Sequence, residues 1–96
     1  MMLRISASAS AITGVTTGAT RIAKAWLVGG SAASTALVYD AATQSGTDVL
    51  GLAAPIGTTS PQVELDSDAD CGGLLLKNGL SVTLTGTGAV LYLIVT

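Results

Sequence analysis

The sequence predicts an all-β protein, a small antiparallel β-sandwich or jelly roll of about seven to eight strands. First, short apolar runs are separated by Gly, Pro, Asp and Asn at spacings of roughly 8–12 residues. Second, apolar and hydroxyl side chains alternate over residues 80–85, which is the period of a strand with one buried face. Third, the Ala-rich segments 31–36 and 41–43 are too short and too mixed with Ser and Thr to predict a helix of about three turns.

The first residues differ in composition from the rest of the chain. Residues 6–20 have small side chains, little apolar bulk and no charge. We therefore predict a flexible or partner-bound N-terminal arm over residues 1–18, or a weakly packed first strand around residues 12–17. Residues 19–96 are predicted to form a single sandwich domain, since 96 residues suit one small core. The predicted strands of this domain are 20–28, 35–39, 48–53, 62–65, 74–77, 80–85 and 89–95.

Two turns are marked by their residues. Asn78 and Gly79 both tolerate a positive φ, so they predict a type I′ hairpin between the runs 74–77 and 80–85. The sequence Gly-Thr-Gly at residues 86–88 predicts a second tight turn, between the last two strands.

The final run is apolar on both faces, unlike the others. A strand of this kind is expected either in the centre of a sandwich or under a second subunit. In the run 20–28, strict alternation assigns one face to Ile22, Lys24, Trp26 and Val28. We interpret Trp26 as a core or subunit-contact residue, with ligand stacking as the alternative. The candidate interface residues are Trp26, Leu91, Tyr92, Leu93 and Ile94.

Charge and residue counts exclude several function classes. Only 10% of the residues are charged, and four basic residues with a net charge of −2 argue against a nucleic-acid-binding face. The chain has no His and one Cys, which excludes His-based catalysis, zinc modules and an intrachain disulfide. The apolar segments are too short or too interrupted by Gly for a spanning helix. We predict no enzymatic activity, no nucleic-acid partner and no membrane partner.

Acidic residues are concentrated in one short segment. Four acids occupy alternate positions: Glu64, Asp66, Asp68 and Asp70. An extended strand would project them from one face, where a hard cation such as Ca²⁺ relieves their repulsion, so Asp66, Asp68 and Asp70 are weak metal candidates. An EF-hand loop is excluded, because its sixth and twelfth positions would be Cys71 and Lys77. The alternative is a solvated face whose charges prevent strand pairing, and no metal or other cofactor is predicted.

Three segments resemble a known family. They are residues 24–41 (KAWLVGGSAASTALVYDA), 57–59 (GTT) and 77–89 (KNGLSVTLTGTGA), and they resemble the small virion structural proteins of tailed bacteriophages. The resemblance extends over residues 24–96 and leaves the N-terminal segment unmatched. The acidic run 66–70 departs from the family pattern. The shared motifs are strand ends and turns without a catalytic signature, so the resemblance implies no active site.

The resemblance implies a function as well as a fold. It implies a non-enzymatic capsid decoration (cement) protein that binds the outer surface of the major capsid protein lattice, after synthesis in the host cytoplasm. A homo-oligomer, with a trimer favoured, would add the buried area that so small a core lacks. The alternative is a receptor- or glycan-binding module at an appendage or tail, suggested by Trp26, Tyr39 and the acidic residues.

Overall fold

The protein consists of two antiparallel β-sheets that pack around one core. The computed structural model describes residues 2–10, 12, 15–44, 46, 48–60, 63–64 and 73–95, and these residues contain no helix, which confirms the predicted all-β class. Their strands are β1 (Met2–Ile5), β2 (Arg21–Val28), β3 (Ser34–Tyr39), β4 (Leu50–Ala54), β5 (Val63–Glu64), β6 (Leu74–Leu75), β7 (Ser81–Thr85) and β8 (Val90–Val95).

The strand order places β8 in the interior of its sheet. The first sheet has the order β1-β8-β2-β5, and β6 also pairs with β2. The second sheet has the order β4-β3-β7. β8 lies between β1 and β2, and its outward side chains are half-buried, so both alternatives predicted for the doubly apolar last run, a central strand of a sandwich or a strand under a second subunit, stay open.

The core lies between the two sheets. It combines side chains from β2 and β8 on one side with side chains from β3 and β7 on the other. Its fully buried apolar members are Ile22, Ala25, Leu27, Ala36, Val38, Leu76, Leu80, Val82, Leu91 and Leu93. No aromatic ring belongs to this core, so the sheets are held by aliphatic packing alone.

Residues 2–10, which we predicted as part of an N-terminal arm, form part of the sandwich. Met2–Ile5 pairs with β8 as an edge strand of the first sheet, and Ile5 is buried in the core. Ala9 then pairs with Val82 at the edge of the second sheet. The sequence did not indicate this, because a four-residue edge strand followed by Ser and Ala has too little apolar periodicity.

A β-bulge in β2 changes the predicted division of its side chains. The pairing with β8 shifts register between Ile22 and Lys24. Ile22 is therefore buried in the core, whereas Lys24, Trp26 and Val28 are half-buried on the outer side. Strict alternation had placed all four on one face, which is wrong for Ile22, because the extra residue of a bulge reverses the phase of the side chains.

The predicted hairpin at Asn78 and Gly79 is instead a connection between the two sheets. β6 before it pairs with β2 in the first sheet, and β7 after it pairs with β3 in the second. The Asp40 carboxylate holds this turn by accepting hydrogen bonds from the N–H groups of Lys77 (2.9 Å) and Asn78 (2.8 Å). Gly79 has φ of +136°, as the turn residues indicated, but the turn type did not determine which strands pair.

The connections at one end of the sandwich require close backbone contact at Gly30. A Cβ atom at this position would overlap the Thr87 carbonyl oxygen and lie 2.6 Å from the carbonyl carbon of Gly88. The Ser31 N–H donates to the same Thr87 oxygen at 2.9 Å. The β2–β3 and β7–β8 connections therefore meet at residue 30, where a residue without a side chain is needed to leave room for the backbone of Thr87 and Gly88.

Candidate interaction surface

The outer face of the first sheet carries apolar side chains that lie outside the core between the sheets and stay partly exposed. Along β8, residues that enter the core alternate with half-buried residues that do not. The register with β1 and β2 extends this alternation across the three strands. We define the outer face as Met2, Arg4, Lys24, Trp26, Val28, Val90, Tyr92 and Ile94.

An aromatic pair lies at the centre of this outer face. Trp26 on β2 and Tyr92 on β8 are direct cross-strand partners. Their rings are stacked, with centroids 5.3 Å apart and planes inclined by 14°. Stacking of this kind stabilises a sheet by roughly 0.5–1.5 kcal/mol beyond area burial, and it also holds both rings in fixed positions. The surface therefore presents a pre-organised aromatic centre.

Apolar residues and two cations surround the aromatic pair. Val28 and Val90 form one neighbouring cross-strand pair, and Ile94 lies beside Met2, which is 56% exposed. Arg4 is the β1 partner of Tyr92, and Lys24 is the β2 partner of Ile94. Arg4 and Lys24 are two strands apart and two residues out of step, which separates their Cα atoms by roughly 12 Å.

Two of the five predicted interface residues belong to the core instead. Leu91 and Leu93 are both 0% exposed and lie in the hydrophobic cluster between the sheets. They cannot contact a partner while the sandwich is folded. Trp26, Tyr92 and Ile94 do lie together on the outer face. Period-two alternation separates the two sets, but the sequence alone does not show which set faces the second sheet.

The second sheet presents a different outer face. The outward positions of its three strands carry small or hydroxyl side chains for the most part. They are Gly51, Ala53, Thr35, Leu37, Tyr39, Ser81, Thr83 and Thr85, and of these Ser81 is buried. Tyr39 lies here, on the opposite side of the sandwich from Trp26, so the structure does not assemble these two rings into one platform. The contrast identifies the outer face of the first sheet as the more apolar and aromatic of the two.

The acidic segment lies almost wholly outside the described residues. Asp66, Asp68 and Asp70 are not described, and Glu64 is described only as the backbone partner of Lys24 in β5. Among the described residues, no group of three Asp, Glu, Cys or His side chains forms a cluster that could hold a metal ion. The weak metal prediction for the acidic segment stays a prediction.

Buried hydroxyl groups in the sandwich bond to the backbone. Ser60 Oγ accepts from the Leu27 N–H at 2.9 Å, and Ser81 Oγ donates to the Ala41 carbonyl oxygen at 2.8 Å. Ser34 Oγ donates to the carbonyl oxygen two residues earlier, also at 2.9 Å. These hydroxyls therefore satisfy backbone groups at the ends of strands, which is a structural use of buried Ser.

An open groove runs beside the N-terminal segment. It has a volume of about 450 Å³ and is lined by residues 4–10 and Ile12. Its lining consists of Ser, Ala and Ile side chains with Arg4 as the single charged group.

No described helix is long and apolar enough to cross a lipid bilayer. Comparison with protein family models, with curated proteins and with solved structures finds no match to this chain.

Proposed function

We propose that this protein is a non-enzymatic structural component of a tailed-phage particle, a capsid decoration protein that binds the major capsid protein. The resemblance of residues 24–41 and 77–89 to small virion proteins supports the biological setting, including a sandwich of jelly-roll type and a position on the capsid surface. The observation that carries the proposal is the stacked pair of Trp26 and Tyr92 at the centre of an apolar outer face.

The outer face has the composition of a protein-binding surface. Interface centres are enriched in Trp, Tyr, Met and Arg, and the outer face contains all four residue types. The sheet does not need this face for its own core, because the inner side chains of β2 and β8 already pack against the second sheet. An apolar sheet face that a protein leaves open marks a surface for a partner.

The charges on the outer face define the partner further. Arg4 on β1 and Lys24 on β2 lie on either side of β8, whose outward side chains are apolar or aromatic. A complementary surface has an apolar centre with carboxylates toward the strands that carry Arg4 and Lys24, although Lys24 also has an acid of this chain, Glu64, as its cross-strand partner on β5. Such pairs orient a partner and speed its association more than they tighten binding. We therefore assign this face to the capsid subunit.

Glycan binding is the alternative function for the same aromatic pair. A sugar ring stacks on a free face of an aromatic side chain, yet in the stacked pair Trp26 and Tyr92 each cover part of one face of the other. Tyr39, which the glycan hypothesis also invoked, lies on the other sheet. Both observations favour a protein partner over a glycan.

The test compares particles with and without this protein. Quantitative mass spectrometry of purified particles should give a copy number in fixed ratio to the major capsid protein, and particles that lack the protein should break at a lower temperature. Re-addition of the purified protein should restore stability. A few copies per particle located at the tail, or no copies, would overturn the capsid assignment.

A matched pair of double variants tests the outer face. Met2→Asp with Ile94→Asp places two charges on neighbouring strands of the outer face, whereas Thr35→Asp with Thr85→Asp does so on the second sheet. We expect the first variant to bind particles at least about tenfold more weakly and the second to bind like wild type. Equal binding by both variants would exclude the outer face. Binding of a glycan array that Trp26→Ala abolishes would support the alternative function.

A further inference from the structure

We propose that the exposed edge of β4 pairs antiparallel with β4 of a second copy of this chain. The two copies would be related by a two-fold axis at Leu52, and their two second sheets would join into one continuous sheet. This contact goes beyond the proposed function, since it lies on a different sheet from the capsid-binding face. It gives a dimer and not the trimer that the sequence analysis favoured.

The two edges of the second sheet differ in their hydrogen bonding to other parts of the chain. At the β7 edge, the Ala9 N–H donates to the Val82 carbonyl oxygen at 3.0 Å, and the Val82 N–H donates back to Ala9 at 2.9 Å. The Ile12 N–H donates to the Leu80 oxygen at 2.8 Å, and Ser8 Oγ accepts from the Leu84 N–H at 2.8 Å. At the other edge, β4 pairs with β3 and with no other described strand.

β4 also lacks the features that protect edge strands. Natural edges are blocked by Lys, by Pro within the strand, by bulges or by inward charges. β4 contains no Lys, no Pro and no charge, and residues 50–54 keep a regular register with β3. Just before the strand, the Val49 N–H donates to the Val38 carbonyl oxygen at 2.8 Å although Val38 is the partner of Leu50, so the irregular pairing lies outside the five residues of β4. Pro55 follows the strand and leaves its five residues unblocked. The strand is thus able to accept another strand at its outer edge.

Exposed apolar side chains flank the strand at both ends. Val49 is 43% exposed and Ile56 is 62% exposed. They are two of the three exposed large hydrophobic residues in the described chain, and the third, Met2, belongs to the outer face of the first sheet. Exposed apolar residues on both sides of an open edge are typical of a pairing site.

The arrangement of these residues favours a second copy as the partner. Antiparallel pairing about Leu52 would place Gly51 opposite Ala53 of the second copy, so small exposed residues would meet at the centre. The same two-fold axis would bring Val49 of each copy toward the Pro55–Ile56 end of the other. The β4 residues themselves carry no charge, and the charge nearest to the proposed axis in sequence is Asp48, whose carboxylate lies 3.7 Å from the position of a Cβ at Gly51. β4 is therefore complementary to itself.

The size of the contact determines how tight the dimer is. Stable interfaces bury at least about 1,200 Å² in total, and a single five-residue pairing with two apolar flanks falls below that range. We therefore expect a dimer that forms and dissociates with concentration.

The experiment is sedimentation velocity of the full chain over a wide concentration range. Gly51→Lys with Ala53→Lys puts like charges face to face across the proposed axis, and Gly51→Glu with Ala53→Glu does the same with the opposite sign. A Cβ at Gly51 makes only ordinary contacts, 3.6 Å to Leu37 and 3.7 Å to the Asp48 carboxylate, so no clash at the Cβ opposes either variant, whereas the Asp48 charge attracts the Lys variant and repels the Glu variant. Circular dichroism checks that each one is folded.

We expect each double variant to dimerise at least about tenfold more weakly than wild type, and an equimolar mixture of the two to recover the dimer. The control, Thr83→Lys with Thr85→Lys, carries the same charges at the same two-residue spacing on β7, at the far edge of the sheet from β4, and should dimerise like wild type. A wild type that stays monomeric throughout, Lys variants that still dimerise, or a mixture that fails to recover the dimer would each overturn the proposal. None of these results bears on the capsid-binding face.

Discussion

Leu93 and Ile94 are adjacent in β8, yet the structure assigns them to opposite sides of the sheet. Leu93 is 0% exposed inside the core, and Ile94 is half-buried on the outer face beside Met2. Leu93→Ala removes core atoms and leaves a cavity, which costs about 3 kcal/mol within the range of roughly 2–5 kcal/mol for such substitutions. Ile94→Ala removes three carbons that are only partly buried, at about 1 kcal/mol in total.

These free energies correspond to distinct melting temperatures. For a domain of this size, 1 kcal/mol lowers the melting temperature by about 4–8 °C, so Leu93→Ala should lower it by roughly 12–24 °C and Ile94→Ala by no more than about 8 °C. The assay is thermal unfolding, followed by the fluorescence of Trp26, which is the single Trp of the chain. When both variants are folded, Ile94→Ala should weaken particle binding more than Leu93→Ala does.

Equal costs for the two substitutions would contradict the placement of Leu93 and Ile94 on opposite sides of β8. An Ile94→Ala variant as unstable as Leu93→Ala would mean that the outer face is packed against another part of the chain. A Leu93→Ala variant with wild-type stability would mean that Leu93 is not buried in the core and lies at an interface, as the sequence predicted. The pair of variants therefore tests the orientation of β8 directly.

Three further predictions concern the connections. Gly30→Ala should lower the free energy of unfolding in urea by about 3 kcal/mol, because its Cβ would overlap backbone atoms. Gly18→Ala, at φ +80° with open space around it, should lower it by about 1 kcal/mol. Equal costs would contradict the steric argument. Asp40→Ala should lower stability by about 1–2 kcal/mol, since the N–H groups of residues 77–78 lose their acceptor, and an unchanged unfolding midpoint would count against that role. Ala9→Pro removes a donor to β7 and should cost about 1 kcal/mol while speeding amide hydrogen exchange in β7; unchanged exchange would show that the N-terminal segment does not protect that edge.

Local patterns in the sequence were sufficient for the fold class and for several strands. The alternation over residues 80–85 corresponds to β7 with Val82 buried, and the doubly apolar last run corresponds to a strand in the interior of a sheet. The grouping of Trp26, Tyr92 and Ile94 on one face also follows from period two once the two strands pair. Each of these features depends on side chains that are close in sequence.

The errors occurred where a distant contact overrides the local pattern. The bulge in β2 is visible only in its register with β8, and it moves Ile22 from the outer side into the core. Gly79 has the positive φ that the turn residues indicated, but Asp40 and the two different partner strands make this segment a connection between the sheets. The first strand depends wholly on pairing with the end of the chain, which composition does not reveal.

The sequence by itself determined the β class, the low surface charge and the residues able to form an aromatic contact, because these follow from composition and from a period of two. Only the tertiary structure decided that Leu91 and Leu93 are core while Tyr92 and Ile94 are surface, and that described residues cover one edge of the second sheet while no described strand pairs with the outer edge of β4. The physical reason is that facing and pairing depend on strands that are remote in sequence, and a strand carries the same alternation whichever face is buried.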